Sequence, residues 1–520
     1  MGNSLKSSRD YVVVFAIILL STLLIFAFSK DKINYHLDEL LTYSLSNSAD
    51  YLNIESGKRY EDYEAFQNQF LTASENDRFN YEQVWTRQAE DVHPPFYYVL
   101  IHTISSFMPG EFSKYIGIAV NMIFNALIIV LLFKFAMLLT GNRKIAYITS
   151  LFWAINPGVI SDMLFIRMYI MAMFFCLLIT YVHIKRMQQV TARNYTFYLA
   201  LFFASVAGFL THYYVLIFTF FLCALYVLYL LVKKKFKELL LYVVTYILTL
   251  GAVLLIFPSI YNHLLGEGNR GEQSINNFMS LEGFVGNAKI FWRIISDNFF
   301  GGYLVYLLIG IVLLLITTLL PLKKYANKSV LGQSSVWQYV MLIVPCTLFG
   351  LLVVNIAVFT VERYIQPIFP LLILIFVTLL FHVVRLYTAK TISLIIGCVL
   401  LAVICITGYT KTTSFEYLMT PSAEALDIAE QYRDKDSVYL YEIPWQVVPS
   451  YEELSYLNSV TFYTPDKMEA LVNDTDYDDF ILYTNSGDES VVQSIVDQLP
   501  NVDTYTKLYH YEYNHAYYLE

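Results

Sequence analysis

Two adjacent carboxylates, Asp38 and Glu39, stand in the stretch YHLDELLTYS, just after the apolar run Tyr11 to Ser29. An acidic pair held near a membrane surface can take a proton from a hydroxyl nucleophile. Further along, Asp91 and His93 precede the Pro94-Pro95 pair, and SDMLFIRMY supplies Asp162, Arg167 and Tyr169. THYY adds His212, Tyr213 and Tyr214, and VERYIQP adds Glu362, Arg363 and Tyr364. Guanidinium and imidazole groups hold phosphate oxygens by charge-assisted hydrogen bonds, so this set suits an anionic, lipid-borne substrate. Each piece alone has a plainer reading: a solvated helix face, arginines snorkelling to lipid, a satisfied interfacial histidine, prolines that start a helix.

The elements that must position these residues are membrane helices. Of the 520 residues 57% are hydrophobic and only 15% charged, with a mean hydropathy of +0.50. Apolar stretches of roughly 20 residues, bounded by charge, read as transmembrane spans. We place eleven, at about 11–29, 114–139, 144–160, 163–184, 196–211, 213–232, 238–258, 303–322, 337–360, 364–384 and 391–409. The first is long for a signal-peptide core and is expected to be retained. With the N-terminus inside, sixteen basic residues (among them Lys6, Arg9, the KKKFK of 233–237 and the KKYANK lysines) fall at cytoplasmic ends against two acidic ones, Asp10 and Glu238. That asymmetry predicts a multi-pass plasma-membrane protein with a cytoplasmic N-terminus and an exoplasmic C-terminus. The lysine clusters serve as topological anchors, with no nucleic-acid partner.

On this topology every chemistry-bearing residue named above lies on the exoplasmic side. Polar residues against a membrane span are costly, so their gathering at one rim points to a site. Residues 1–410 form the transmembrane domain, including outer loops 30–113 and 259–302. The first loop ends in HPPFYYVLIHTISSFM, expected as an interfacial amphipathic helix with Tyr97 and Tyr98 at headgroup level. The second begins with the glycine-rich GEGNRGEQS and could form a lid. Residues 411–520 hold 5 Lys and Arg against 21 Asp and Glu, and alternate helix and strand signals, giving a small acidic exoplasmic α/β domain. All five cysteines fall within expected spans, which leaves no exoplasmic disulfide framework. No metal-ligand spacing appears, so neither a metal nor a cofactor is expected.

Asp38-Glu39 after the first span, then HPPFYYVLIH, RMYIMAMFF, THYYVLIF and ERYIQPIFPLL, together resemble the bacterial branch of the dolichyl-phosphate-mannose-protein mannosyltransferase family. That family belongs to the glycosyltransferase-C superfamily, which includes the lipid A aminoarabinose transferases. The resemblance covers about residues 10–385. It implies an inverting transferase that takes a hexose or pentose from a polyprenyl-phosphate donor to an envelope glycan, lipid or protein on the exoplasmic face. It assigns Asp38, with Glu39 beside it, the role of catalytic base, and His93, Arg167 and Arg363 the donor phosphate. Tyr169, His212, Tyr213 and Tyr364 would line the donor-sugar pocket, and Asp91 would be a second acid. Where the family has a charged residue just before the first proline, this chain has Asp91-Val92-His93. The competing classes are a lipid or sugar transporter and a polymer-binding membrane protein. Transporters of this size usually show internal repeats and broken mid-membrane helices, and neither is evident.

Overall fold

Helix length decides what can cross a bilayer. About 20 residues at 1.5 Å each are needed to traverse a hydrocarbon core of roughly 30 Å. The computed structural model describes residues 8–50, 52–188, 194–266, 272–273, 276–278, 283–317, 336–473 and 478–520. Among them eight helices are long and apolar enough to span: Ser8–Lys30, Lys114–Thr140, Tyr169–Gln188, Tyr213–Val232, Phe236–Ile256, Val336–Ile356, Gln366–Tyr387 and Lys390–Tyr409. A ninth arises if Phe284–Phe300 and Leu304–Leu313, bent by 87° at their junction, count as one. The protein is a polytopic helical membrane protein, and among the described residues eight or nine helices are long and apolar enough to span, against the eleven spans expected.

The overcount has identifiable causes. The run expected at 144–160 is broken at Asn156, whose side chain accepts hydrogen bonds from the Gly158 and Val159 N–H groups while Pro157 opens a new helix. The pieces, Arg143–Ile155 and Pro157–Leu164, have 13 and 8 residues, too short to cross. The run at 196–211 forms Asn194–Phe209, only 16 residues. The latter part of the run at 303–322, the KKYANK lysines and most of GEGNRGEQS lie outside the described residues. The five cysteines are all unbonded thiols, and each sits in one of the long helices.

The chain divides into two compact units, each discontinuous in sequence. The first comprises residues 1–28, 88–97 and 118–416 and holds the long helices. Within it the two acidic residues of the basic helix ends are both paired. Arg143 Nε lies 3.2 Å from Asp10 and Arg186 Nη2 lies 3.1 Å from Glu238.

The second unit comprises residues 29–87, 98–117 and 417–520. It contains a six-stranded mixed sheet of β1 (Arg59–Tyr60), β2 (Asp436–Leu440), β3 (Ser459–Tyr463), β4 (Phe480–Thr484), β5 (Tyr505–Tyr511) and β6 (Asn514–Leu519). The spatial order is β1-β3-β2-β4-β6-β5, with β3, β2 and β4 parallel and the other pairings antiparallel. Alternate residues of the parallel strands serve opposite faces. Tyr439, Phe462 and Tyr483 pack with Tyr60, Tyr63 and Phe66 on one side, and Val438 and Leu482 pack with Val492 and Ile495 on the other. Both faces are covered, which is what strands buried as continuous apolar runs require. Tyr97 and Tyr98, expected at headgroup level, are instead fully buried in the helix Phe96–Ser105.

Candidate active site

In the helical unit, the segment 88–97 is tied down at both ends. His263 Nε2 donates to the Ala89 carbonyl (3.1 Å), and the Phe96 N–H donates to the Leu210 carbonyl (3.0 Å). Between these anchors His93 Nδ1 lies 2.8 Å from an Asp91 carboxylate oxygen. Burial pushes the Asp91 carboxyl upward, but the His93 imidazole and the Arg167 guanidinium outweigh it and hold the group below its usual range. An ionised carboxylate only accepts, so Nδ1 of His93 carries the proton that points at Asp91. The other ring nitrogen is then available to a ligand.

Arg167 reaches this site from the turn between the helices Pro157–Leu164 and Tyr169–Gln188. That turn is clamped by Asn121, whose amide donates to the Met163 and Phe165 carbonyls at 3.0 and 2.8 Å while its oxygen accepts from the Tyr97 hydroxyl at 2.9 Å. His212 closes the cluster. It has extended backbone and caps the helix Tyr213–Val232 by accepting the Tyr214 N–H at its Nδ1, 3.0 Å away. Its ring centroid lies 5.9 Å from that of His93 and 5.1 Å from that of Tyr169. Burial, and then the charges of His93 and Arg167, push His212 well below the usual imidazole range, so it is neutral. The Tyr213 hydroxyl donates to His263 Nδ1 at 2.6 Å. Tyr214 packs edge-on against Tyr364 at 5.7 Å, and the Arg363 guanidinium lies 5.7 Å from the Tyr364 ring. Asp91, His93, Arg167, Tyr169, His212, Tyr213, Arg363 and Tyr364 therefore form one connected set.

A second acidic group lies in the same unit. The Gln366 amide donates to an Asp162 oxygen at 2.8 Å, and Glu362 and Glu416 are its acidic neighbours. Burial, then the charge of Glu416, drives Asp162 well above the carboxylate range, and burial with Asp162 and Glu416 does the same to Glu362. Both are thereby biased toward the protonated form. Among the described residues, no group of three His, Cys, Asp or Glu side chains could hold a metal ion.

Asp38 and Glu39 belong to the other compact unit. They open the helix Leu37–Asn47 through a capping box. His36 Nδ1 accepts the Asp38 N–H at 3.0 Å, and the Glu39 carboxylate accepts the His36 N–H at 2.7 Å. Glu39 is fully buried and also pairs with the buried Lys32 at 2.9 Å. Asp38 keeps 19% of its side chain exposed, 3.9 Å from the His36 ring nitrogen.

Sequence reasoning missed Asn121 and His263. Asn121 could have been found as an amide inside the apolar run VNMIFNALIIV, and His263 as the only imidazole in IYNHLL, because polar groups in such runs are costly.

The chain is similar over its whole length to ArnT from Cupriavidus metallidurans. With ArnT bound to undecaprenyl phosphate the TM-score is 0.55 at 12% identity, over 99% of this chain and 98% of that one. This is a glycosyltransferase-C fold. The apo state of the same ArnT gives 0.51 at 12% identity, over 98% of each chain. The archaeal oligosaccharyltransferase AglB from Archaeoglobus fulgidus, at a TM-score of 0.46 and 10% identity, is too distant to carry weight. No family model matches the sequence, and no curated protein matches it in sequence. At 12% identity the glycosyltransferase-C likeness speaks for the fold, and the activity rests on the residues.

Proposed function

We propose that the protein is an inverting glycosyltransferase of the mannosyltransferase-like kind, moving a sugar from a polyprenyl-phosphate donor to an envelope acceptor on the exoplasmic face. The observation that carries this is the connected cationic and aromatic set around His93 and Arg167, in a fold that in ArnT accompanies bound undecaprenyl phosphate. Arg167, Arg363 and His93 would hold the donor phosphate, while Tyr169, His212, Tyr213 and Tyr364 line the sugar. Neutral His212, its Nδ1 occupied by the Tyr214 N–H, offers an uncharged Nε2–H donor, which suits a sugar hydroxyl better than a phosphate. Asp91 acts on the phosphate indirectly, by fixing the His93 ring and its tautomer.

Asp38 is the general base in this reading. It takes the proton of an acceptor hydroxyl, the oxygen attacks the anomeric carbon from the face opposite the phosphate, and the bond from that carbon to the phosphate oxygen breaks. The electron pair leaves with polyprenyl phosphate, whose charge the cations neutralise. Glu39 is occupied by Lys32 and by the cap, so its part is to hold the turn that carries Asp38.

The test is mass spectrometry of lipid-linked sugars and envelope glycans from cells carrying wild type, Asp38→Asn or an empty vector. We expect a polyprenyl-phosphate sugar to accumulate and one glycan to lose a residue wherever functional Asp38 is lacking, with transfer reduced about 10²–10⁴-fold. A normal glycan profile with Asp38→Asn at equal expression removes the base assignment. Identical profiles in wild type and empty vector remove the transferase.

A further inference from the structure

The mixed sheet of the second unit carries a constellation with no part in donor binding. β3, β2 and β4 run parallel in that spatial order. The chain leaves β2 toward β3 on one side and comes back to β4 on the other. At such a switch point the connecting segments diverge beyond the carboxyl ends of the strands and open a crevice, where open α/β sheets take their ligands. Three segments meet there: 441–446 after β2, 485–488 after β4, and the β5–β6 turn. The turn is brought in because β6 is antiparallel to β4, with His515 opposite Thr484.

Two large aromatic rings stand exposed at this end. Trp445 and Tyr513 are 41% and 50% exposed, and their ring centroids lie 5.5 Å apart with planes at 84°. The corner they make is built on a hydrogen-bonded base. The Asn485 amide nitrogen donates to Asn514 Oδ1 at 2.8 Å, to the Tyr439 hydroxyl at 3.2 Å and to the Tyr513 carbonyl at 3.3 Å. The Tyr439 hydroxyl donates to the Gln446 carbonyl at 2.8 Å, and Gln446 Oε1 accepts the Glu442 and Ile443 N–H groups. Two polar atoms at this end, Asn485 Oδ1 and His515 Nδ1, have no protein partner. Tyr439, Tyr483 and Tyr517, in the same sheet, are fully buried, so the exposure of Trp445 and Tyr513 is not the habit of this tyrosine-rich domain.

We propose that the Trp445–Tyr513 corner is a glycan-binding site that takes a neutral pyranose unit. A pyranose offers a face of C–H bonds that stacks on an aromatic ring, and a rim of hydroxyls that pair with amides and imidazoles. Rigid aromatic walls beside a few fixed polar groups are the composition of a small-molecule site. Residues 411–520 carry a net charge of −16, which turns away phosphate-rich polymers and anionic lipid surfaces. This site goes beyond the transferase reading and does not require it, since occupancy is measured without donor or turnover.

The experiment is saturation-transfer NMR on the full-length protein in lipid nanodiscs, prepared free of glycoside detergent. The probes are mannotriose, cellotriose and triacetylchitotriose. We expect saturable binding of at least one probe, weakened about tenfold or more by Trp445→Ala and less by Trp445→Phe, which keeps a stacking face. Both side chains are about half exposed, so the variants are expected to keep their thermal midpoint, and that is measured on each. Failure of all three probes to bind overturns the proposal. So does wild-type affinity in the Trp445→Ala, Tyr513→Ala double variant. Quenching of Trp445 fluorescence by brominated acyl chains, with no saccharide binding, would make the corner a lipid contact and also overturn it.

Discussion

Asp91 and Asp162 are two shielded aspartates of the same helical unit, and they end in opposite states. Burial is the largest influence on both and pushes both upward. At Asp91 an imidazole and a guanidinium reverse that push, and the group is ionised. At Asp162 the neighbours are an amide and two carboxyls, and nothing reverses the push toward the protonated form. The lesson is that burial sets the stakes and counter-charge decides the outcome. One aspartate helps assemble a charged site, while the other is a hydrogen-bonding neutral acid.

Asparagine copies the neutral form of an aspartate, so it separates the two cases. Asp91→Asn leaves Arg167 without its counter-charge and His93 Nδ1 without its carboxylate acceptor, and is expected to lower stability by about 2–3 kcal/mol, read as a fall in the thermal midpoint in nanodiscs. A midpoint equal to wild type would break the comparison by showing that Asp91 is not ionised. Next in size, Arg167→Gln removes one of the groups proposed to hold the donor phosphate. We expect affinity for polyprenyl phosphate to drop about tenfold in a binding titration, with a weaker salt dependence. An unchanged affinity would take Arg167 out of the phosphate site.

His212→Ala removes a helix cap and should cost about 1 kcal/mol, whereas His212→Asn restores the cap and most of the stability. Equal melting of the two variants would show that capping is not what His212 contributes. The smallest effect belongs to Asp162→Asn, expected within about 0.5 kcal/mol of wild type below pH 3.8, where the aspartate is protonated in both states and the Gln366 bond survives. Its signature is in the pH dependence. The folded value of Asp162 is raised, so its stabilisation is full below the ordinary carboxylate value of 3.8 and is lost as pH rises from there. Asp91 is depressed, so its stabilisation is present above 3.8 and is lost as pH falls through its lower folded value. Asp162→Asn should flatten the high-pH arm of the stability profile, and Asp91→Asn the acid arm. If either variant flattens the other's arm, the assignment is reversed.

Much of this was legible in the sequence. The long apolar runs, the acidic tail with its alternating elements, and the polar residues that gather around His93 all follow from residue type and spacing. The span count failed where a local signal was overridden by hydropathy. Asn156-Pro157 is a helix stop and start inside an apolar run, and a window average cannot see it. β1, two residues long, had no local pattern to find, and its position is set by β3, far along the chain.

That distance has a bearing on how the protein is made. The aromatic residues Tyr60, Tyr63 and Phe66 find their core only against strands that begin at residue 436. Roughly 350 residues of helical chain must be synthesised and inserted in between, on the order of tens of seconds at ribosomal rates of about 5–20 residues per second. Throughout that interval the early segment has emerged without the sheet it will cover, its apolar side chains unmatched. Biogenesis of this protein therefore calls for a chaperone or a membrane surface to shelter residues 52–71, and a chain truncated before its last strands would leave that segment as a target for proteolysis.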